Sequence, residues 1–356
     1  MTTAAEPAPA ERAATRADVA RHAGVSTAVV SYVVNNGPRA VAPRTAARVR
    51  AAVEALHYSP NVNARALQRG STQLVGLVVP DIGNPFFAEL ARAVEAAAAS
   101  HGLLVALGNS NASDVTERTL VNDLAGRHVD GLILATVLTP ALLAALPRPH
   151  RPTVIISALP VPGYTTVGPD ARAGARDLVG HLLEVHGFTD VALVMGEGHG
   201  RSIDPREEGW AEALAAHELR PGPVVRASFS RSGGYEAMRR MLRWPRPPAA
   251  VFLSSDQQAV GAYRALRETA LDCPADIALV CYDGTSQAEF GWPPMTVSQQ
   301  AVDAMAEAAV GALVSGANGT TFHQFDNQLV VRRSCGCRHD TAAAGREGSG
   351  ASRQST

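Results

Sequence analysis

The 356-residue sequence lacks lysine altogether, so all 32 of its Lys-or-Arg positions are arginine. By itself this absence reflects the composition of GC-rich coding sequence. It also has a chemical consequence. Every cationic contact the chain makes uses a planar guanidinium, which suits bidentate pairing with phosphate or carboxylate. Long apolar runs are missing too: none approaches the ~18 consecutive apolar residues of a membrane-spanning helix. Cysteine is scarce, at positions 273, 281, 335 and 337. Four are too few for a disulfide framework in a chain this long. Met1–Ala14 shows neither the basic start nor the apolar core of a secretory signal. The cytoplasm is therefore the expected compartment. Hydrophobic content of 46% with 18% charged residues excludes a disordered chain. The length exceeds one ordinary domain.

The placement of charge is more informative than its total. Residues 12–72 hold nine arginines against Asp18 and Glu54, a net +7. The whole chain is −1, so everything outside that stretch sums to −8. A basic end on an acidic body points to nucleic-acid contact at one end only.

The hydrophobic pattern divides the chain. Residues 1–14 read as a disordered leader. Residues 15–69 alternate short helical patterns with turns. From Leu74 the texture becomes strand–helix alternation. Strands are predicted at 74–79, 103–107, 131–135, 191–194, 224–227, 250–254, 277–281 and 328–332. Helices are predicted at 88–100, 115–126, 170–184, 207–217, 233–242, 259–269 and 298–315. Such alternation implies right-handed βαβ units and doubly wound parallel sheets. It falls into two α/β units of similar size. The Gly/Ala/Ser/Arg-rich segment 336–356 reads as a disordered tail.

Within 15–59, Thr15 and Asp18 fit a capping box before a helix over about 16–22. Gly24 supplies a turn, and Ser26 can cap a second helix over 27–35. Pro43 can open a third that runs to about His57. Val25, Val30 and Val33 point inward from the second helix, and Val49, Val53 and Leu56 share one face of the third. Two short helices joined by a glycine turn and braced by a third make a helix-turn-helix unit.

Asp18-Val-Ala-Arg-His-Ala-Gly-Val-Ser26 and Val30-Ser-Tyr-Val-Val-Asn-Asn36 resemble the opening of the lactose-repressor/galactose-repressor (LacI/GalR) family of transcriptional regulators. Ala64-Arg-Ala-Leu67 resembles that family's hinge helix. Val75–Glu89, Val129–Ile133, Cys281-Tyr-Asp-Gly284 and Leu329–Gly336 are similar to its downstream signatures, in order. The resemblance covers about residues 15–336. It implies a small all-α helix-turn-helix domain over 15–59 plus a hinge helix and linker over 60–72, joined to a two-subdomain α/β periplasmic-binding-protein-like effector-binding and dimerisation domain over 73–335. Its doubly wound subdomains would be about 73–168 with 300–327 and about 169–299 with 328–335.

The resemblance also assigns roles to residues. Thr27, Ala28 and Tyr32 would face base edges. Ser26, Ser31, Asn35, Arg44, Thr45 and Arg48 could hold phosphates and fix register without reading sequence. Most family members carry arginine at the Tyr32 position, so the strongest guanine reader is absent here. The hinge would place Asn61, Ala64 and Leu67 at the minor groove, with Leu67 as an apolar wedge between base steps. In the body, Phe86 or Phe87, Arg206, Phe229, Ser255, Asp256 and Asp283 would meet a small-molecule effector, most simply a sugar or sugar derivative; a nucleobase would be served by similar groups. Asn109, Ala135 and Thr136 are weaker candidates. Phe87 and Trp210 also suit plain core packing.

Catalytic patterns are weak. Gly196-Glu-Gly-His-Gly200 resembles part of a dinucleotide loop but has Arg201 where the third glycine belongs. No Ser-His-Asp or Walker pattern occurs. Cys335-Gly-Cys337 with His339 lacks a fourth ligand and reads as incidental, and His181 and His186, five residues apart, do not share a helix face. The expectation is therefore a DNA-binding regulator, most simply a repressor, with no enzymatic role, no cofactor and no metal. Its partners would be near-palindromic operator DNA, an effector and a second copy of itself. Residues 337–356 contain no Leu, Ile or Val, so the leucine heptad of the family's tetramers is absent and a dimer is expected. A sugar-binding receptor of the same body fold is the alternative; it would need an export signal and would have no basic helix-turn-helix.

Overall fold

The computed structural model describes residues 14–35, 39–59, 70–136, 151–197, 203–317, 319–338 and 353–355. The chain divides into two compact units, Met1–Thr72 and Gln73–Thr356.

The first unit contains α1 (Arg16–Ala23), α2 (Thr27–Val34) and α3 (Pro43–Ala55). Local chemistry sets each start. The Asp18 carboxylate accepts from the Thr15 amide at 2.9 Å, and the Asp18 amide donates to the Thr15 hydroxyl at 3.4 Å, which is the reciprocal capping box. Gly24 ends α1 with φ of 62°, a left-handed conformation that favours glycine. Ser26 caps α2 by accepting from the Val29 amide. The core of the unit is Val19, Ala20, Ala23, Val30, Val49 and Ala52, with Val25, Val33, Val53 and Leu56 packed around it. Val19, Val30 and Val49 are fully buried, and burial of each contributes about 1.5–3 kcal/mol.

The second unit holds two sheets. The first contains β1 (Leu74–Val79), β2 (Leu104–Asn109), β3 (Gly131–Ala135), β4 (Thr153–Ile156), β5 (Thr165–Pro169), β11 (Thr321–Phe325) and β13 (Arg353–Ser355). Its strand order is β13-β11-β5-β4-β3-β1-β2. All pairings are parallel except that of β13 with β11. Helices α4 (Pro85–Ser100) and α11 (Val302–Val314) cover one face, and α5 (Asp114–Gly126) the other.

The second sheet contains β6 (Val191–Gly196), β7 (Val224–Ala227), β8 (Ala250–Leu253), β9 (Ala278–Asp283), β10 (Thr296–Gln299) and β12 (Gln328–Val330). Its order is β12-β10-β9-β8-β6-β7, parallel except for β12 against β10. Helices α6 (Ala171–His186) and α7 (Pro205–Ala216) cover one face, with α8 (Arg231–Met241) and α9 (Asp256–Glu268) on the other. A short helix, α10 (Ser286–Glu289), follows β9. Strands such as β9 are buried on both sides. Ala278, Val280 and Tyr282 enter one core and Leu279 and Cys281 the other, as a central parallel strand requires. The chain passes between the sheets four times, after β5, after β10, after β11 and after β12.

Among the differences from the sequence expectation, β4, β5, β11 and α10 were not foreseen. Ser298 and Gln299 belong to β10 and not to the start of a helix, because Ser298 pairs with Tyr282 and Gln299 with Asp283. A disordered tail was expected from Gly336, yet Cys337 Sγ lies 3.4 Å from His186 Nε2 and Arg353–Ser355 pairs with β11 as an edge strand. Cys335, expected to be incidental, is fully buried in the core against α6. Among the described residues, no helix is long and apolar enough to cross a membrane.

Candidate functional site

In the first unit, Ser26, Thr27 and Ala28 are exposed at the start of α2, and Ser31, Tyr32 and Asn35 are half-buried. The free amides of a helix N-terminus and the short side chains Thr27 and Ala28 leave that end open to close approach. The Asn35 amide donates to the Ser31 hydroxyl at 3.2 Å. Arg44 is exposed and Thr45 half-buried at the start of α3. Arg48 does something the sequence did not reveal. Its guanidinium donates to the carbonyl of Ala23, with the Gly24 carbonyl also at 3.5 Å. It thus caps α1 from α3 and braces the turn between the two helices. Asn61, Ala64 and Leu67 lie outside the described residues.

In the second unit, a cleft of about 550 Å³ opens at the carboxyl ends of strands from both sheets, where open α/β sheets place their ligands. Of the seven effector candidates, Phe86, Phe87, Arg206, Phe229, Ser255 and Asp283 line it, and so do Ala135 and Thr136. Asn109 is not among its lining residues; its side chain accepts from the Ile82 amide.

Each lining group is held by a local device. Asn84 caps α4 by accepting from the Phe86 amide, and Phe86 and Phe87 meet edge to face at 5.1 Å. Phe86 packs mainly into the core, whereas Phe87 is only partly buried. Asp204 caps α7 and grips Arg206 through two parallel bonds, Nε to Oδ1 at 2.9 Å and Nη2 to Oδ2 at 2.8 Å. The third guanidinium nitrogen donates to the Ser254 carbonyl at 2.9 Å. The cation then lies 5.0 Å from the Phe229 ring and 5.3 Å from the Tyr282 ring, both within cation–π range. Burial alone would weaken the charge, but the Asp204 carboxylate outweighs it and the Arg206 pKa is raised. Phe229 sits so close to β6 that a Cβ on Gly196 would lie 1.9 Å from its ring. The glycine run that resembled a dinucleotide loop therefore begins with a position that makes room for this aromatic.

Asp283 and Asp256 differ in role. Asp283 faces the cleft with φ of 105°, a strained conformation for a non-glycine residue. Its carboxylate accepts from the Gln300 side chain at 2.9 Å. Asp256 is fully buried, does not line the cleft, and accepts from the Thr285 amide and hydroxyl at 2.6 and 2.7 Å. It fixes the loop that follows Asp283 at the end of β9. Burial, then the mutual charge of Asp256, pushes the Asp283 pKa well above the usual carboxylate range. Ser255 caps α9 through its hydroxyl. Asp204, Tyr282 and Gln300 also line the cleft but were not singled out from sequence. Asp204-Pro205 ahead of an apolar helix was the available signal for the first. Trp210 is 2% exposed and its indole donates to the Val191 carbonyl, so it is a core residue.

The arrangement suits a small polar ligand with an apolar face. Aromatic rings offer stacking, while the Arg206 cluster, Asp283 and Gln300 offer directed donors and acceptors. Residues 15–61 match the family model described as bacterial regulatory proteins, lacI family, and residues 179–335 match the periplasmic binding protein-like domain. The chain is 34% identical over 321 residues to the ribose operon repressor of Escherichia coli (strain K12), covering 89% of this chain and 97% of that protein. Among solved structures, it is similar to the lac repressor dimer bound to operator and the anti-inducer ONPF. The TM-score is 0.81 at 27% identity, covering 91% of this chain and 99% of that one. It is also similar to a LacI family transcriptional regulator from Enterococcus faecium with bound ribose. There the TM-score is 0.65 at 26% identity, with 73% and 98% covered.

Proposed function

This chain belongs to the lacI family of bacterial regulatory proteins, and we propose that it is a homodimeric repressor whose grip on operator DNA is set by a sugar bound in the cleft of its second unit. The observation that carries the effector part is the Arg206 cluster. A guanidinium is held on Asp204 and flanked by Phe229 and Tyr282, with Asp283 on the same cleft wall. A sugar offers both the apolar ring face and the hydroxyls that such a set recognises. Ribose in the Enterococcus faecium relative and the ribose operon repressor relative support a pentose as the first compound to try.

The DNA part rests on the exposed N-terminal end of α2 and the +7 charge of residues 12–72. Thr27, Ala28 and Tyr32 read base edges, and Arg44 and its neighbours hold phosphates. Asn61, Ala64 and Leu67 act at the minor groove. Two recognition helices related by a two-fold axis call for a near-palindromic site.

Control follows from linkage. A sugar that favours one arrangement of the two α/β lobes over another shifts the population, and operator affinity changes by the same coupling factor, typically about 5–150-fold. The cleft carries no catalytic role in this reading. The protein works where its DNA is, in the cytoplasm. The test is operator binding by the full chain with and without a panel of pentoses and hexoses, in wild type and in Arg206→Ala. A sugar response confined to the wild type supports the reading; a response of equal size in both defeats the pocket assignment.

A further inference from the structure

Four side chains outside the cleft converge at the far end of α6. Cys335 Sγ lies 3.4 Å from His181 Nε2. Cys337 Sγ lies 3.6 Å from His181 Nε2 and 3.4 Å from His186 Nε2. All four ligating atoms fall within 4.8 Å of one another. With metal–sulfur bonds of about 2.3 Å and metal–nitrogen bonds of about 2.0–2.1 Å, a tetrahedral zinc site has S···N edges of about 3.5 Å. The three S···N distances match that edge.

Sequence spacing hid this set. His181 and His186 are five residues apart and do not share a helix face. But His186 is the last residue of α6, followed by Gly187 in a left-handed cap. Its ring turns back to meet His181 edge to face at 5.2 Å. From the other side, the chain reverses at Gly336, whose φ is 111°, and so aims the sulfurs on either side of it at the same point. A Cβ on Gly336 would lie 3.3 Å from the His186 ring. His181 and His186 supply the two nitrogen ligands, so the set does not require His339.

We propose that His181, His186, Cys335 and Cys337 form a closed four-ligand site for a zinc ion that pins the segment after β12 to the end of α6. Two thiolates and two imidazoles in a tetrahedron are the donor set of structural zinc. All four positions are protein ligands, so the site is structural and has no opening for substrate. It is separate from the cleft. Ala171, which lines the cleft, begins α6 about 15 Å along the helix from His181. The surroundings are already built: Cys335 is fully buried, and the Thr296 hydroxyl lies 3.1 Å from its sulfur, a contact that holds the ligand's orientation.

The test uses the full chain, purified without a polyhistidine tag and under thiol reductant. Elemental analysis is expected to find one zinc per chain. Replacing zinc with Co²⁺ is expected to give the intense ligand-field bands of a tetrahedral site and thiolate-to-cobalt charge transfer. Cys337→Ser and His186→Asn, both at half-buried positions, should each weaken metal retention at least about tenfold. Cys273→Ser should leave it unchanged. Absence of zinc and of cobalt bands would overturn the site, as would equal retention in all variants. So would a Cys335–Cys337 disulfide in the freshly reduced protein.

Discussion

The Ser286 amide and hydroxyl both donate to one oxygen of Glu89, at 3.0 and 2.9 Å. Glu89 stands on α4, against the first sheet, and Ser286 opens α10 after β9 of the second. The pair therefore latches one lobe of the second unit to the other. A charge-assisted bond at an exposed site is worth about 1 kcal/mol, or roughly fivefold in an equilibrium. Glu89→Ala should shift the lobe equilibrium by about that factor. Effector affinity without DNA and operator affinity without effector should then both move. Calorimetry and operator anisotropy on the same preparation check this, and no change in either would remove the latch from the mechanism.

Arg206→Ala takes away the cation that Asp204 holds and that lies between Phe229 and Tyr282. The loss of hydrogen bonds to a charged group, about 1.5–3 kcal/mol, should weaken effector binding about 10–100-fold. Operator binding without effector should stay within about twofold of the wild type. Arg206→Lys should rescue little, because a point ammonium cannot make both bonds to Asp204. Titration calorimetry with the responsive sugar gives the comparison.

Two arginines of the first unit should behave differently. Arg48 caps α1 through the Ala23 carbonyl, so Arg48→Ala should destabilise that unit by about 1 kcal/mol. Arg44 is exposed, and its replacement by alanine should leave stability alone. Arg44→Ala should instead reduce the slope of log affinity against log salt by about one, as expected for one lost phosphate contact. Thermal melts and operator titrations at several salt concentrations separate the two effects.

Glu117 on α5 is 1% exposed and its pKa is raised to about 7, chiefly by burial. Its folded pKa exceeds the unfolded one, so the folded state holds the extra proton between about pH 4.5 and 7. Stability from this group is full below that window and falls as pH rises through it, by on the order of 3 kcal/mol. Glu117→Gln should lose this slope and be more stable than the wild type at pH 8. Denaturant melts at pH 5 and pH 8 test it. Equal pH dependence in both proteins would contradict the assignment.

What the sequence made legible follows from how each element is stabilised. β1 and β3 are buried on both faces, so their sequences are unbroken apolar runs and their limits agree with the reading. β5 is Thr-Thr-Val-Gly-Pro and β10 is Thr-Val-Ser-Gln; their places in the sheets come from neighbours distant in sequence, and neither announces itself. Helices α4, α7 and α9 begin two or three residues earlier than expected because Asn84, Asp204 and Ser255 cap them. In the cleft, Arg206 and Asp283 were legible through family motifs. Tyr282 stood inside the Cys281-Tyr-Asp-Gly284 motif without being singled out, and Gln300 was not legible because only the fold brings it beside Asp283. The Cys/His cluster was the least legible, because its two pairs lie about 150 residues apart.

Protection of genomic DNA by the purified full-length chain, with and without D-ribose and related sugars, tests the central claim most directly. The account predicts protection of a near-palindromic site that changes at least about tenfold in affinity with one sugar, and a response that Arg206→Ala abolishes while still protecting the site. Protection of no discrete site, or of one whose occupancy no sugar alters, would contradict it.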